Sequence, residues 1–312
     1  MAGSLTNSEF AFKKLGEFKN KFDRVVRQFL DGEVKRANKI NPELGKMLKI
    51  GVNFVIDGGK RLRPAFIYFG YKAVRRVQDE HALLRASIPI ELVHASALIH
   101  DDVIDNSDTR RGKPTVHKVF AEMFKNSKKG ESLAIILGDL LFSLADATFS
   151  TKSKLAKMFF DEAKKEVNFG QYLDIAGDSL ATVDYNWIMQ VMRYKTAGYT
   201  IEKPLTIGAA LGGASETIIS NLSKYGINLG IAFQIQDDIL GMFGDEKKVG
   251  KPVDSDLKEG KKTLLVWKTL ENLVHKKRRA DLLKFKSILG NPKLTKNDYI
   301  WRQNLMREME AV

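Results

Sequence analysis

Helical periodicity is the feature that most constrains what this chain can fold into. Residues 10–30 carry apolar side chains at helical spacing, such as Phe18, Phe22 and Val26, between Lys, Arg and Glu. The same spacing continues along the chain, strand-like alternation is scarce, and only 7 prolines interrupt 312 residues. No internal repeat and no linker rich in Ser, Gly or Pro divides the sequence. We therefore predict a single all-α domain over residues 1–312, built as a helical bundle.

Two long helices and two loops stand out in this pattern. Leu83–Asp105 is predicted to form one mostly apolar helix, and Ser132–Ser150, rich in Leu, Ala and Ile, a helix buried on all sides. The loops with the most Gly and charge are Asn106–Pro114 and Asp245–Lys262, and each directly follows an Asp-rich helix end. We therefore expect the functional loops at one end of the bundle.

Composition narrows the class of protein. Hydrophobic residues make up 44% of the chain, which is too many for a disordered protein. The absence of cysteine excludes a disulfide scaffold, a thiolate metal site and a cysteine nucleophile. The N-terminus lacks the pattern of a signal peptide, and the apolar stretch Ala86–His100 is too short and too polar to span a bilayer. We expect a cytoplasmic protein with at most peripheral membrane contact.

The net charge of +13, from 51 Lys and Arg against 38 Asp and Glu, indicates an anionic partner. Nucleic acid would require aromatic residues interleaved with the basic ones, and the basic run Lys276–Arg279 has none. No nucleic-acid partner is therefore expected, and a phosphate-rich substrate or an anionic membrane surface stays open.

The first acidic cluster lies at the end of an apolar helix and contains Asp101, Asp102 and Asp105. On a helix, Asp101 and Asp105 share one face, where two like charges repel each other and the helix dipole disfavours them. Mg²⁺ would remove this conflict, because it binds carboxylate oxygens together with water and phosphate oxygens. The alternative is a solvated acidic helix end without a bound ion.

The second acidic cluster contains Gln234, Asp237 and Asp238 and also follows an apolar helix. The residue four positions beyond Asp237 is Gly241 rather than an acid, so this cluster is the weaker signal on its own. Two such clusters at the ends of two apolar helices are far less expected by chance than one.

Basic residues surround both acidic clusters. A diphosphate carries a charge of about −3, so two of them in one site need roughly six positive charges. Arginine offers a fork of donors to phosphate oxygens, and glycine lets the backbone approach an anion closely. The cations near the clusters are Lys60, Arg63, Arg110, Arg111, Lys195, Lys251 and Lys261.

Taken in order, these motifs resemble those of the trans-isoprenyl diphosphate synthases, the polyprenyl synthetase family. The matching segments span about two hundred residues and are Gly58–Pro64, Glu91–His94, Asp101–Arg111, Lys195–Ala197, Phe233–Asp238 and Gly250–Thr263. The resemblance implies a bundle of antiparallel helices around a deep apolar cavity. It implies an Mg²⁺-dependent prenyltransferase that condenses isopentenyl diphosphate with an allylic diphosphate to an all-trans product, by ionisation, condensation and elimination.

The resemblance also implies a role for each site residue. The diphosphate of isopentenyl diphosphate would be held by Lys60, Arg63, His94 and Arg111. The allylic diphosphate would be bound by Arg110, Lys195, Lys251 and Lys261. Asp101 and Asp105 would ligate two Mg²⁺ ions with Asp102 in support, and Asp237, beside Asp238, would help to hold a third. Thr196 and Gln234 would lie near the allylic C1 atom.

Two features bear on how this chain would differ within the family: the residue at position 241 and the small residues before Asp101. Gly241 stands where the family often has a third Asp, and we expect the ion at Asp237 to bind without it. Ser96 and Ala97 lie one helical turn before Asp101, with Val93 on the next turn, and a turn rises 5.4 Å, about the reach of one isoprene unit. Because Ser96 and Ala97 are small, we expect a deep pocket and a product of twenty carbons or more, as in geranylgeranyl or longer-chain synthases.

The sequence leaves two alternatives to this interpretation, a class I terpene cyclase and the active subunit of a hetero-oligomeric prenyl synthase. A class I terpene cyclase also uses an Asp-rich motif, but its later motif combines Asn or Asp, Ser or Thr, and Glu, whereas this chain has Gln-Asp-Asp. In a hetero-oligomeric synthase a degenerate partner would lose Asp101 or Asp105, so this chain would be the active subunit. A homodimer is the expected assembly.

Overall fold

The structure is a computed structural model that describes residues 6–180, 182–244, 260–291 and 293–312. Most described residues are helical, which confirms the all-α class. The helices up to residue 148 are α1 (Asn7–Ile40), α2 (Pro42–Ile56), α3 (Leu62–Val74), α4 (Glu80–Ala86), α5 (Ile88–Ile104), α6 (Val116–Phe124) and α7 (Ser127–Thr148). The later ones are α8 (Lys154–Ser179), α9 (Tyr185–Val191), a π-helix (Met192–Glu202), α10 (Lys203–Leu211), α11 (Glu216–Phe243), α12 (Leu264–His275), α13 (Arg279–Ile288) and α14 (Lys296–Glu308).

The first two helices begin at residues that satisfy the unpaired N–H groups of a helix start. The Thr6 hydroxyl accepts from the Glu9 N–H while the Glu9 carboxylate accepts from the Thr6 N–H, which forms a capping box. The Asn41 side chain accepts from the Glu43 N–H, and Pro42 occupies the first helical position.

The described residues form two compact units, and the first comprises residues up to 161 together with 203–223. Its core includes the Phe18 and Phe22 face of α1, and α5 packs against α7. Helices α3 and α10 pack closely because a Cβ atom at Gly70 would clash with the Leu205 carbonyl oxygen. The strands β1 (Thr109–Arg110) and β2 (Lys113–Pro114) form a small antiparallel hairpin in this unit.

The second unit comprises residues 162–202 and 224–312. Its core joins Met242 to apolar residues of α12, α13 and α14, including Phe285 and Met306. Arg302 is fully buried there and donates from Nη2 to the Met242 carbonyl oxygen at 3.0 Å. This hydrogen bond satisfies a carbonyl of the last turn of α11, which has no partner within its own helix. That residues 1–312 form one domain stays a prediction.

Three helix predictions need correction. The helix predicted over Leu83–Asp105 is interrupted at Ser87, because Pro89 has no N–H to donate to the preceding turn and its ring crowds that turn. Burial of α7 on all sides is wrong for a single chain, since Ile135 and Ile136 are 42% and 53% exposed. The segment Asn106–Pro114, predicted only as a loop, contains the β1–β2 hairpin.

One stretch of the described residues, Glu80–Ile104, is long and apolar enough by length and composition to cross a membrane. This stretch extends beyond Ala86–His100, the apolar segment that the sequence predicts to be too short and too polar to span a bilayer. However, 67% of the apolar window is buried inside the structure, and a buried core helix passes the same test.

Candidate active site

Two glycines shape the loop before α3. Gly58 and Gly59 have φ angles of +124° and +95°, which other residues rarely adopt. A Cβ atom at Gly58 would lie 3.1 Å from Cδ of Arg111, so the Arg111 side chain passes directly over this loop. Lys60, the next residue, is exposed. The loop therefore brings two of the predicted cations close to a bare stretch of backbone.

Arg61, in the middle of the same motif, is an anchor rather than an anion ligand. It is 2% exposed, and it donates from Nε to Asp23 Oδ1 at 2.7 Å and from Nη1 to Glu91 Oε1 at 2.6 Å. Burial lowers the pKa of Arg61, but the charges of Glu91 and Asp23 outweigh it and raise the pKa above its usual value. These ion pairs tie the start of α3 to α1 and α5.

The β1–β2 hairpin positions the next pair of arginines. Its two turn residues, Arg111 and Gly112, have φ angles of 54° and 73°, and positive φ at both positions is typical of a tight two-residue hairpin turn. The Thr115 hydroxyl donates to the Ser107 carbonyl oxygen at 2.8 Å and fixes the base of the hairpin. A cavity of about 240 Å³ lies beside it, with both Arg110 and Arg111 in its wall.

His94 is surrounded by positive charge. Burial, and then the charges of nearby arginines, hold the pKa of His94 well below its usual value; these arginines are Arg63, Arg111, Arg110 and Arg61. The imidazole is therefore neutral at pH 7 and has one N–H to donate. Four guanidinium groups around a neutral ring form a site that an anion would stabilise. The structure thus brings together Arg63, His94, Arg110 and Arg111 in the first unit.

The three acids of the first cluster differ in exposure. Asp102 is fully buried and its Oδ1 accepts from Arg110 Nε at 2.7 Å, whereas Asp105 ends α5 and is exposed. Asp101 is partly buried, and its Oδ2 lies 3.5 Å from Arg110 Nη2. Burial raises the pKa of Asp102, and the hydrogen bond from Arg110 offsets this only in part.

The donor set around Asp101 and Asp105 fits a magnesium ion that shares its ligands with a diphosphate. Within the described residues, no group of three or more His, Asp or Glu side chains is arranged to hold a metal ion. Asp101 and Asp105 lie four residues apart on one helix face, and both offer the oxygen ligands that Mg²⁺ prefers. With two carboxylate ligands, most coordination positions of the Mg²⁺ ion are left to water and phosphate oxygens.

The π-helix of the second unit carries Lys195 and Thr196. A Cβ atom at Gly170 would clash with the Lys195 backbone, so α8 packs against the π-helix at this point. The Lys195 ammonium pairs with the Asp174 carboxylate of α8. Wider π-helical turns are frequent at functional sites, and this π-helix carries two predicted site residues.

The second acidic cluster orients a neutral amide. The Thr196 hydroxyl donates to Gln234 Oε1 at 2.5 Å, and Gln234 Nε2 donates to Asp238 Oδ1 at 2.7 Å. Asp238 is buried, and Asp237, one residue earlier on α11, is exposed. The structure therefore joins Thr196, Gln234 and Asp238 in one relay in the second unit.

The other predicted site residues fall into three groups. Val93 and Ser96 are buried in α5 at 0% and 1% exposure, with Ala97 partly buried beside them. Lys261 is partly buried ahead of α12. Lys251 lies outside the described residues.

Sequence reasoning missed several residues that support the site. Asp23 and Asp174 hold Arg61 and Lys195, and nothing in their local sequence distinguishes them from other acids on amphipathic helices. His117, in the first turn of α6, was also missed; it is buried and close enough to Asp102 for their charges to interact. Only the three-dimensional contacts find these residues.

The fold and the site residues define a class of protein, an all-α enzyme whose helices carry acidic clusters and cations suited to diphosphate groups. A sequence model of the polyprenyl synthetase family matches residues 45–298, and the chain belongs to this family. It is therefore a prenyltransferase.

Individual relatives agree with this assignment. A short chain isoprenyl diphosphate synthase of Methanocaldococcus jannaschii is 36% identical over 86% of this chain and 78% of the relative. A geranylgeranyl diphosphate synthase of Saccharolobus solfataricus is 35% identical over 80% of this chain and 73% of the relative. The crystal structure of a geranylgeranyl pyrophosphate synthase from Corynebacterium glutamicum, in complex with isoprenyl diphosphate and magnesium, is similar with a TM-score of 0.89. It is 32% identical and covers 95% of this chain and 87% of that one.

Proposed function

We propose that this enzyme condenses isopentenyl diphosphate with an allylic diphosphate to give an all-trans prenyl diphosphate of twenty carbons or more. The observation that carries the proposal is the neutral His94 near Arg63 and Arg111, with the Arg111 side chain over the glycine loop, because a multiply charged anion would stabilise these cations. The geranylgeranyl diphosphate synthases among its relatives support the product class.

Isopentenyl diphosphate binds at the glycine loop of the first unit in this proposal. Arg111 passes over Gly58 and Gly59, so a phosphate group there can meet both the guanidinium and the open backbone. The residues that hold this diphosphate are Lys60, Arg63, His94 and Arg111. Arg61 is already paired with Glu91 and Asp23, and it contributes by fixing the loop.

The allylic diphosphate binds between cations and magnesium-linked carboxylates. The reaction depends on Mg²⁺, as it does in the family, and we assign two ions to Asp101 and Asp105 and a third to Asp237. When bound, these ions neutralise the charge that develops on the departing diphosphate. The side chains that contact this diphosphate are Arg110, Lys195, Lys251 and Lys261.

The chemistry then follows from positioning and charge. The C1–O bond of the allylic substrate breaks, and its electron pair leaves with the diphosphate. The double bond of isopentenyl diphosphate attacks C1, and the resulting cation loses a proton to the departed diphosphate, so no side-chain base is required. We assign Gln234, whose amide is held by Thr196 and Asp238, a place near the allylic C1, where its fixed dipole would act on the developing charge.

Product length is set in this proposal by α5. A chain that grows along α5 away from Asp101 meets Ser96 and Ala97 first and Val93 one turn further. The side chains at the first two positions are small, so neither of them stops the chain at fifteen carbons.

We further propose that the enzyme acts as a cytoplasmic homodimer. Helices α6 and α7 expose large apolar side chains that a second copy would cover, namely Met123, Phe124, Ile135 and Ile136. The positive charge not used by the site would favour weak, peripheral contact with anionic lipid.

Incubation of the purified protein with isopentenyl diphosphate and Mg²⁺ tests the proposed reaction. Each allylic primer of ten, fifteen and twenty carbons is supplied in turn, and products are separated by chromatography. We expect elongation of at least one primer and its loss when the metal is chelated. If no primer is elongated, the proposed reaction is wrong.

A further inference from the structure

His117 and Asp102 are two buried titratable residues whose polar atoms lack partners. His117 is 3% exposed, and both Nδ1 and Nε2 are buried without a hydrogen-bond partner among the described residues. Asp102 is fully buried, and its Oδ2 also has no hydrogen-bond partner within the described part of the chain. Buried polar atoms are almost always satisfied in native proteins, either by each other or by an ordered water.

The two side chains lie within electrostatic range of each other. The charge of Asp102 acts to raise the pKa of His117, but burial first and the charge of Lys118 second leave that pKa lowered. The charges of Glu131 and Asp108 act on His117 in the same direction as that of Asp102, but less strongly. The ring is therefore neutral at pH 7, with one N–H donor and one acceptor nitrogen.

The carboxylate of Asp102 connects this histidine to the site. Its Oδ1 accepts from Arg110 Nε at 2.7 Å, while its Oδ2 is the oxygen that lacks a described donor. Arg110 can also reach a second carboxylate, because its Nη2 lies 3.5 Å from Asp101 Oδ2. A donor that holds Asp102 in place would therefore favour the Arg110–Asp102 pair over the Arg110–Asp101 pair.

We propose that His117 is a positioning residue that donates its N–H to Asp102 Oδ2, directly or through one water, and so holds Arg110 ready for the allylic diphosphate. The inference rests on the proposed function, because it assumes that Arg110 contacts this substrate. Without the donor, Asp102 is less firmly held, and Arg110 shifts toward Asp101, a metal ligand in the proposed site. Binding of the allylic diphosphate then weakens, whereas binding of isopentenyl diphosphate does not depend on the hydrogen bonds from His117 through Asp102 to Arg110.

The test substitutes His117 and compares the KM values of the two substrates. His117→Phe keeps a ring and removes both nitrogens, and we expect the KM for the allylic diphosphate to rise about tenfold, the low end for a hydrogen bond to a charged group. The KM for isopentenyl diphosphate should stay within about twofold. His117→Asn and His117→Gln each keep one donor at the place of one ring nitrogen, and one of them should restore most of the loss.

Phe120→Leu is the matched control, because Phe120 lies on α6, is 2% exposed and makes no polar contact. It should lower the melting temperature without separating the two KM values. A rise of both KM values together in His117→Phe would assign the histidine to packing alone and overturn the inference. If His117→Phe does not fold, the comparison falls to the Asn and Gln variants. Equal KM values for the allylic diphosphate in these two variants would overturn the inference as well.

Arg110→Met separates this inference from the proposed function. If Arg110→Met leaves the allylic KM unchanged, the proposed role of Arg110 fails, whatever His117 does. If Arg110→Met raises that KM and His117→Phe does not, only the inference about His117 fails. If both raise it, the double variant should be no worse than Arg110→Met alone.

Discussion

The two acidic clusters of this enzyme, at the end of α5 and inside α11, are supported in different ways. Along α5, charged side chains are balanced by buried ion pairs: Arg110 pairs with Asp102 in the last turn, and Arg61 pairs with Glu91 in the first turn. On α11, the central residue is the neutral amide of Gln234, held by a hydroxyl on one side and a carboxylate on the other. The first region can balance the charge of metals and diphosphates, while the second mainly fixes the orientation of the Gln234 amide.

This difference has an energetic consequence. A buried charge that loses its counter-charge is costly, because the low-dielectric surroundings cannot replace the lost partner. A neutral amide that loses one hydrogen bond costs much less, since the net value of such a bond is about 1 kcal/mol. Substitutions in the first region should therefore have the larger effects on both activity and stability.

The largest effect is expected from the metal-binding carboxylates. Asp101→Asn should lower kcat by about a thousandfold and Asp237→Asn by about a hundredfold, because in the proposed site Asp101 helps to hold two ions and Asp237 only one. The measurement is steady-state kinetics over a range of Mg²⁺ concentrations. Equal losses, or a larger loss for Asp237→Asn, would break the proposed ranking of the two regions.

The next effect concerns stability. Glu91→Gln leaves Arg61 with one buried counter-charge fewer, and we expect the free energy of unfolding to fall by about 3 kcal/mol. Lys113→Met is the control, since it breaks the exposed ion pair with Asp57 and should cost less than about 1 kcal/mol. Urea unfolding measures both. A small loss in Glu91→Gln would show that the buried network does not hold the loop.

A pH dependence follows from the lowered pKa of His94 and of His117. Below a pH of about 6.5 these histidines bind protons in the unfolded chain but stay neutral in the folded chain. The free energy of unfolding therefore falls as the pH falls. The loss is at most about 1.4 kcal/mol per pH unit for each histidine. Unfolding at pH 7.5, 6.5 and 5.5 should give a shallower slope for His94→Gln than for the wild type. Identical slopes would contradict a neutral His94.

The smallest effect is expected at Gly241. Gly241→Asp adds the acid that relatives often have, and activity and the Mg²⁺ requirement should each change by less than about tenfold, well under the effect expected of a direct metal ligand. The reason is that Asp237 is the main ligand of its ion in the proposed site. A rise in activity of tenfold or more would mean that Gly241 is a defect of the second region.

Local patterns predicted most of the fold. The period of apolar residues anticipated α1, where Phe18, Phe22 and Val26 are buried one turn apart. It missed the break at Ser87, although Pro89 was visible, because the apolar pattern continues through it. It also missed the hairpin and the π-helix, since two-residue strands are too short for a period and a π-turn has no composition of its own.

The site was predictable where it is local and hidden where it is not. The end of α5 with Asp101 and Asp105 was predictable, because two like charges on one face at the negative end of a helix dipole are locally unfavourable. The partners of Arg61 lie 38 residues before it and 30 residues after it, at Asp23 and Glu91, and no pattern links positions so far apart. The relay between Thr196 and Gln234 likewise spans 38 residues.

Product length tests the central claim most directly, because it depends on the reaction, on the growth direction along α5 and on the small residues there together. The measurement is product chromatography for the wild type, Ser96→Phe and Ser96→Ala, with isopentenyl diphosphate, Mg²⁺ and a ten-carbon primer. We predict products of twenty carbons or more for the wild type and Ser96→Ala, and arrest at fifteen carbons for Ser96→Phe. A wild type that makes only the fifteen-carbon product, or a Ser96→Phe variant with unchanged products, would contradict the account.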